Sequence, residues 1–396
     1  MSTPAYRTWR TYSTAIGGSA FEVATKPGTF AHGRLDPAAV LLAEHTKVAS
    51  GDCVVHLNGG NGLTAAVTAK AADDVRVYLS DRNLVSTEAA QRTLDANHIT
   101  TGAIFLGHGT QVLPAGVTAD SVVIRIPQER VALLQLLVDA FSILKIGGRC
   151  YIAGATNEGI KTAANTIETI FGNARVLARD SSHRVVVATK RATALTLPER
   201  VDVAILDSST FKEIEALLRG RNYRLCSRPG VFSWEHLDEA TSILADVMEI
   251  GETDSVLDLG CGSGGLGAVA SSLSSGRITM VDADIEAVRS AARTAEVNGM
   301  ANYRAIASDI AGSVMEERFD VVITNPPFHV GKTTDLDVPL QFINDAHAVL
   351  TPGGRLLLVA NRTLPYEQAI KHRFGNVRSV HDGPRFKVLS AVRASG

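Results

Sequence analysis

An internal duplication is the feature of this sequence that most restricts its fold. The matching segments keep their order along the chain: 26–30 with 228–232, 51–62 with 253–264, 147–149 with 353–355, and 171–173 with 374–376. An ordered set of this kind predicts two domains of one fold, residues 1–192 and 228–396, joined by a linker at 193–227. Within the linker, residues 209–219 are predicted to be helical.

Each copy alternates short apolar runs with longer helical patterns. In the second copy the predicted strands are Ser255–Leu259, Arg277–Val281, Val321–Thr324, Gly354–Ala360 and Arg385–Ala391. The helical stretches between them are Leu266–Ser274, Ile285–Asn298, Val338–Leu350 and Pro365–Phe374. Alternation of strands and helices indicates an α/β fold with a mostly parallel, doubly wound sheet that helices cover on both faces.

Composition limits the classes of function. Hydrophobic residues make up 45% of the chain and charged residues 20%, values that are ordinary for a globular protein. No run approaches the roughly 18 apolar residues of a membrane helix, and the N-terminus lacks the apolar core of a signal peptide. The four cysteines lie far apart without a Cys-x-x-Cys pair. We therefore expect a cytoplasmic protein with no metal site and no membrane contact.

A glycine-rich turn follows the first strand of the second copy. Asp258 ends that strand, and Gly260, Gly262 and Gly264 follow it where a helix begins. Glycines there let the backbone turn tightly and approach a ligand closely. Asp282 ends the next strand, 22 residues beyond Gly260, and is placed to bind ribose hydroxyls.

The glycine pattern by itself leaves two kinds of ligand open. Gly260, Gly262 and Gly265 also fit the Gly-x-Gly-x-x-Gly fingerprint of nicotinamide dehydrogenases. Asp258 opposes that interpretation, because its carboxylate would face a pyrophosphate, whereas it would suit the ammonium group of an amino acid. Asp309 follows the presumed third strand and could meet an adenine edge. An amino-acid end and an adenosine end together describe S-adenosylmethionine.

The stretch Thr324-Asn325-Pro326-Pro327-Phe328-His329 follows a buried strand and carries the second signal. Asn325 offers a side-chain carbonyl, and Pro326 offers a backbone carbonyl without an N–H. Phe328 adds a flat apolar ring. Two acceptors beside a ring suit a planar amine, although a plain proline-rich turn would use the same residues. His329 is predicted to face RNA or to support the site rather than to act as a base.

Residues 228–396 resemble the class I S-adenosylmethionine-dependent methyltransferases of the "small" subfamily. The whole duplicated chain resembles the family of small-subunit (16S) ribosomal RNA guanine-N2 methyltransferases, through residues 229–233, 324–331 and 360–366. The resemblance implies two tandem Rossmann-like domains, the first degenerate, and methyl transfer to a guanine 2-amino group. It implies catalytic roles for Asn325, Pro326 and Phe328, and a monomer that acts on ribosomal RNA or the small ribosomal subunit. The sister family that methylates large-subunit (23S) RNA has the same architecture and remains an alternative.

The first copy has lost the residues that carry this chemistry. His56 stands at the position of Asp258, Asn58 at that of Gly260, and Ile126 is aligned with Asn325. We therefore predict a non-catalytic first copy that docks RNA, supports the second copy, or does both. Phe232 and Trp234 could be core residues or a lid over the substrate. Phe30 matches Phe232, which favours a structural role, so neither Phe232 nor Trp234 is predicted to be catalytic.

Two basic stretches are candidate RNA contacts. One comprises Arg219, Arg221, Arg224 and Arg228, and the other runs from Arg362 to Lys387. Since the net charge is only −2, RNA would have to meet such a local patch. Methylation of DNA adenine or protein glutamine, and a non-catalytic RNA-binding assembly factor, are the other functions that the sequence leaves open.

Overall fold

The computed structural model describes residues 6–327 and 337–395. The chain forms two compact units, residues 7–210 (the first unit) and Tyr6 with residues 211–395 (the second unit). Each unit consists of a two-stranded hairpin and a seven-stranded sheet with helices.

In the first unit the hairpin strands are β1 (Arg10–Ile16) and β2 (Ser19–Thr25). Its sheet strands are β3 (Cys53–Leu57), β4 (Arg76–Asp81), β5 (Gly102–Leu106), β6 (Ala119–Arg125), β7 (Leu144–Ala155), β8 (Arg175–Asp180) and β9 (His183–Thr189). Its helices are α1 (Pro37–His45), α2 (Leu63–Ala69), α3 (Leu84–Ala96), α4 (Arg130–Ile143) and α5 (Ile160–Phe171). The strand order is β5-β4-β3-β6-β7-β9-β8.

In the second unit the hairpin strands are β10 (Lys212–Leu218) and β11 (Arg221–Ser227). Its sheet strands are β12 (Val256–Leu259), β13 (Ile278–Asp282), β14 (Tyr303–Ala307), β15 (Phe319–Thr324), β16 (Leu350–Asn361), β17 (Arg378–Asp382) and β18 (Phe386–Val392). Its helices are α6 (Glu239–Val247), α7 (Gly265–Leu273), α8 (Ile285–Val297), α9 (Asp337–Val349) and α10 (Tyr366–Phe374). The order β14-β13-β12-β15-β16-β18-β17 repeats that of the first unit.

The sheet of the second unit is parallel from β14 to β16, and β18 and β17 add antiparallel pairs at one side. All four residues of β12 are buried, as expected for a strand that is covered on both faces. The chain leaves β12 towards β13 and β14 and returns on the other side with β15. The carboxyl ends of β12 and β15 therefore flank the point where α/β sheets bind ligands. The predicted fold class is confirmed.

Apolar clusters cover both faces of this sheet. One cluster packs α9 and α10 against the strands, and it includes Phe342, Ile370 and Phe374. The other packs α6, α7, α8 and the hairpin, with Tyr223 and Leu225 buried between them. Burial on both faces fixes the strand ends, and with them the loops at the carboxyl edge. Among the residues that the structure describes, no helix is long and apolar enough to cross a membrane.

The hairpin β10–β11 corrects the predicted linker. Residues 211–227 belong to the second unit, so the linker at 193–227 is shorter than predicted and the helix at 209–219 is wrong. Burial alternates along β10 as it does on a half-buried strand. The N–H of Cys226 donates to Oγ1 of Thr294 on α8 at 2.8 Å. The first unit repeats this contact from Ala24 to Thr93 at 3.0 Å.

Tyr6 lies before the first unit in sequence but belongs to the second. Its side chain is 2% exposed and packs in the α9–α10 cluster with Leu257, Leu259 and Val281. The beginning of the chain thus supplies a core residue to the unit formed by its end.

Candidate nucleotide-binding edge of the second unit

Asp258 is the most deeply buried acid at the carboxyl edge. Its Oδ2 accepts the Gly267 N–H of α7 at 2.9 Å, while its Oδ1 has no hydrogen-bond partner among the described residues. Burial raises the pKa of this carboxyl to about 7, although the Gly267 hydrogen bond lowers it, and the charge of Asp282 adds to the rise. A buried polar atom without a partner is costly, so Oδ1 is suited to a cationic ligand group.

The glycine-rich turn joins β12 to α7. Gly260, Gly262 and Gly264 have φ values of 78°, 51° and 79°, a backbone region that favours glycine. A Cβ on Gly264 would lie 2.9 Å from the Cα of Ala291, so glycine also permits the close approach of α7 and α8. Around Gly262, by contrast, a Cβ would meet nothing within 4 Å. The backbone there borders open space at the start of a helix.

Asp282 connects the glycine-rich turn to the end of β13. Its Oδ2 accepts the Gly262 N–H and its Oδ1 accepts the Asp284 N–H, both at 3.0 Å. The carboxylate is therefore fixed by the backbone at the edge where a ribose was predicted.

Asp309 lies on the loop after β14, and its neighbour Ser308 donates its N–H to the Asp282 carbonyl at 2.8 Å. The Tyr6 hydroxyl donates to Oδ1 of Asp309 at 2.7 Å. Tyr6 was missed by the sequence analysis, because no local pattern connects two residues that are 303 positions apart.

Asn325 follows β15 and is held in one orientation. Its Nδ2 donates to Oδ2 of Asp238 at 2.9 Å and to Oγ1 of Thr241 at 3.1 Å. A carboxylate only accepts hydrogen bonds, so the amide nitrogen must face Asp238 and the amide oxygen must point the other way. Asp238 is itself fixed as the N-cap of α6, where it accepts the Thr241 N–H at 2.8 Å. The side-chain oxygen of Asn325 is therefore oriented away from Asp238, where it can accept a hydrogen bond from a ligand.

The eight site candidates that the structure describes lie at strand ends and on loops along one edge of the sheet. Thr324 donates its hydroxyl to the Leu259 carbonyl at 2.7 Å, which ties the end of β15 to the end of β12. Pro326 is buried beside Asn325. Phe328 and His329 lie outside the described residues, so their predicted roles remain predictions. The sequence missed Asp238, although its repeat with Asp36 was a usable signal.

The first unit shows what replaces these groups. His56 pairs with Val123 on β6, as Asp258 pairs with Ile323 on β15, so the residue at the place of Asn325 is Arg125. The predicted alignment of Ile126 with Asn325 is wrong by one residue, because the strand register places equivalent residues of the two copies 200 positions apart here and not 199. Arg125 forms an ion pair with Asp36, the N-cap of α1, at 2.6 Å. A guanidinium has donors only, so it cannot accept an amine hydrogen.

His56 also changes the electrostatics of the first unit. Burial lowers its pKa to about 3, so the imidazole is neutral, and its Nε2 lies 2.9 Å from Oγ1 of Thr68. Asp81 still accepts the Gly60 and Asn83 N–H groups at 2.9 Å, as Asp282 does in the second unit. The first unit thus keeps the backbone frame and has lost both the acid and the amide acceptor.

Both predicted basic stretches include residues that are held within the fold. Arg228 is 1% exposed and pairs with Glu286 at 3.1 Å, and Lys387 is buried against Glu367. Arg219 donates to the carbonyls at the end of α6. Arg221 and Arg224 remain exposed on the hairpin. Three of the proposed RNA contacts are therefore structural.

Phe232 is 63% exposed, so it is not a core residue, although a structural role was predicted.

The four cysteines, Cys53, Cys150, Cys226 and Cys261, are buried and form no disulfide bonds. Within residues 6–327 and 337–395, no group of three His, Cys, Asp or Glu side chains could hold a metal ion.

The strand order and the acids at its carboxyl edge define a doubly wound α/β protein of the nucleoside-binding class. The family model of the methyltransferase small domain matches the chain twice, over residues 20–187 and 222–390. This chain therefore belongs to the methyltransferase small domain family.

Similar proteins carry more specific names. The chain is 34% identical to the ribosomal RNA small subunit methyltransferase C of Hahella chejuensis over 71% of this chain and 80% of that protein. It is 30% identical to the enzyme of the same name from Alteromonas mediterranea, over 68% and 72%. A solved structure, the T. thermophilus 16S rRNA N2 G1207 methyltransferase (RsmC) in complex with AdoMet and guanosine, matches with a TM-score of 0.83 at 29% identity. That match covers 99% of this chain and all of the other.

Proposed function

We propose that this protein transfers a methyl group from S-adenosylmethionine to the exocyclic 2-amino group of a guanine in small-subunit ribosomal RNA. The observation that carries the proposal is the orientation of Asn325, whose amide nitrogen is bound by Asp238 and Thr241. An amide oxygen fixed in this way accepts a hydrogen from a planar amine without first having to reorient.

The cofactor would lie along the carboxyl edge of β12, β13 and β14. Asp258 Oδ1, buried and without a protein partner, would hold the ammonium group of the methionine end. The open space at Gly262 admits the ligand close to the backbone, Gly260 and Gly264 shape the turn, and Asp282 would accept from the ribose hydroxyls. Asp309 would face the adenine. When bound, S-adenosylmethionine supplies an electrophilic methyl group.

Asn325 and the Pro326 carbonyl would accept the two hydrogens of the guanine 2-amino group. This aims the nitrogen lone pair and stabilises the positive charge that develops on nitrogen during transfer. Alignment of nitrogen and methyl group at about 3–3.5 Å is the larger part of the catalysis. No side chain is needed as a base, because the methylated nitrogen is acidic enough to lose its proton to water. Phe328 would stack on the base.

The names of the similar proteins favour the small subunit over the large one, and the T. thermophilus structure is described with AdoMet and guanosine. We assign catalysis to the second unit and a non-catalytic, supporting or RNA-docking role to the first, since Arg125 and His56 cannot replace Asn325 and Asp258. We further propose that the enzyme works as a monomer in the cytoplasm, where ribosomal RNA is processed.

The test is transfer of labelled methyl from S-adenosylmethionine to small subunits, large subunits and their naked RNAs, all lacking the native mark. We expect label on guanine in the small-subunit samples. Asn325→Ala should reduce turnover by roughly 100-fold or more with cofactor affinity retained, since a positioned donor or acceptor is typically worth that much. Asn222→Ala, at an exposed position of strand β11, is the matched control.

Label on the large-subunit samples alone would retain the chemistry and change the substrate. Unchanged turnover of Asn325→Ala would remove Asn325 from the mechanism. Cofactor binding without transfer to any RNA would contradict the proposed function and favour a binding factor or a protein or DNA substrate.

A further inference from the structure

Phe232 lies on a turn whose backbone is the same in both units. The Val231 N–H donates to the Arg228 carbonyl at 3.1 Å, and the Trp234 N–H donates to the Val231 carbonyl at 3.1 Å. In the first unit the same bonds run from Thr29 to Lys26 and from His32 to Thr29, at 3.1 and 3.2 Å.

The φ angles repeat as well. Ser233 and Ala31, the residues that follow the two rings, have positive φ values of 51° and 56°. Phe232 and Phe30 therefore leave equivalent backbones in equivalent directions.

The turn is anchored although its aromatic ring is exposed. Arg228, at the start of the turn, is almost fully buried and forms an ion pair with Glu286, and Asp238, at its far end, caps α6. Between these anchors Phe232 is 63% exposed. A large aromatic ring that an anchored backbone holds in solvent is available to bury its face against a flat ligand, and that burial would stabilise the complex.

The first unit shows which group such a ring faces. The Arg125 guanidinium lies 5.0 Å from the centroid of the Phe30 ring. Arg125 occupies the register position of Asn325, and it binds Asp36 as Asn325 binds Asp238. The first unit thus contains a planar, nitrogen-rich group close to its ring, carried by the residue at the register position of Asn325. A guanidinium and the amino edge of guanine share planarity and N–H donors.

We propose that Phe232 is a substrate-binding residue that stacks on the target guanine while Asn325 accepts from its 2-amino group. In the first unit, Arg125 fills the corresponding place from within the chain. Phe232 then selects a flat base rather than reacting with it, and it acts without contact with the cofactor. This inference rests on the proposed function and adds a second recognition element to it.

The experiment measures guanosine binding, and methyl transfer to small-subunit RNA, for Phe232→Ala, Phe232→Leu and Phe232→Tyr. Guanosine is the probe because it has no phosphate, so loss of a backbone contact cannot imitate loss of stacking. Stacking of a base on an aromatic ring corresponds to roughly 5- to 150-fold in affinity. We expect that loss for Ala and Leu in the Kd for guanosine and the KM for RNA, with kcat changed less. Tyr should retain binding within about threefold.

Leu217→Ala is the matched control, since Leu217 is 65% exposed on β10 and belongs to no proposed site. S-adenosylmethionine affinity and the thermal midpoint should not change in any of the four variants. Wild-type binding by Phe232→Ala, or equal binding by Leu and Phe, would overturn the inference while Asn325→Ala still tests the proposed function. If the wild-type protein methylates no guanine, both proposals fall together.

Discussion

At the scale of single residues, the site depends on Asp258 and Asn325. The hydrogen-bond partner of Asp258 is a backbone N–H nearby in the sequence, whereas that of Asn325 is a distant side chain. Asp258 was found from its position after a strand, because strand ends and glycine turns are local signals. The orientation of Asn325 could not be found in that way. It depends on Asp238, 87 positions away, which joins the site only when α6 packs beside β15. Sequence reasoning therefore identified the amide acceptor and missed the carboxylate that orients it.

The raised pKa of Asp258 gives cofactor binding a defined pH dependence. Binding of an ammonium group requires the ionised carboxylate, so affinity for S-adenosylmethionine should rise as pH increases towards 7 and level off above it. Below pH 7 the change should approach tenfold per pH unit. Asp258→Asn should bind more weakly and lose this dependence, as measured by titration calorimetry between pH 5.5 and 8.5. A flat wild-type profile would remove Asp258 from the ammonium site.

The raised pKa of Asp258 also determines how the stability of the cofactor-free protein changes with pH. The folded-state pKa of about 7 lies above the ordinary value of 3.8, so the folded state binds the extra proton between these values. The stability that this group contributes is full below about pH 4 and is lost as pH rises through 7. Asp258→Asn should therefore flatten the decline in urea-unfolding stability over that range.

At the scale of elements, the central strands and the helices that follow them were predicted within a few residues, since buried parallel strands read as apolar runs. The helix α6, the edge strand β17 and the hairpin β10–β11 were not in the predicted set, and the edge strand β14 was expected only as a third strand before Asp309, without bounds. The apolar and charged positions of residues 212–218 are compatible with the period of a helix and with that of a strand. The hairpin that these residues form with β11 packs against α8, and the hydrogen bond from Cys226 to Thr294 spans 68 positions, so no local window contains this contact.

The hairpin contact offers a matched pair of substitutions. Thr294→Val removes the acceptor of the buried Cys226 N–H, and Thr93→Val removes that of Ala24. Leaving a buried donor unsatisfied costs about 1–3 kcal/mol. We expect each variant to destabilise its own unit by that amount, as followed by hydrogen exchange of the amides in β11 and β2. Equal loss of protection in both units from either change would contradict two separately packed hairpins.

At the scale of the whole molecule, the duplication predicted two units, and the structure adds that the chain crosses between them at its start. Tyr6→Phe keeps the apolar ring and removes the hydrogen bond to Asp309. We expect weaker S-adenosylmethionine binding, by roughly 2- to 10-fold, the usual worth of one hydrogen bond. Tyr12→Phe is the control, because the Tyr12 hydroxyl contacts the Arg34 carbonyl at 3.5 Å and the Asn61 side chain, both in the first unit. Equal cofactor affinity in the wild-type and Tyr6→Phe proteins would show that Tyr6 serves packing alone.

The position of Tyr6 also bears on what the second copy would lose if it were separated from the first. Tyr6 and Asp309 are 303 positions apart, and the whole first unit lies between them in the chain. A gene shortened to the second copy alone would therefore lose more than the first unit. It would also remove a buried ring and a hydrogen-bond donor from the unit that remains, so the second copy is not a complete module by itself.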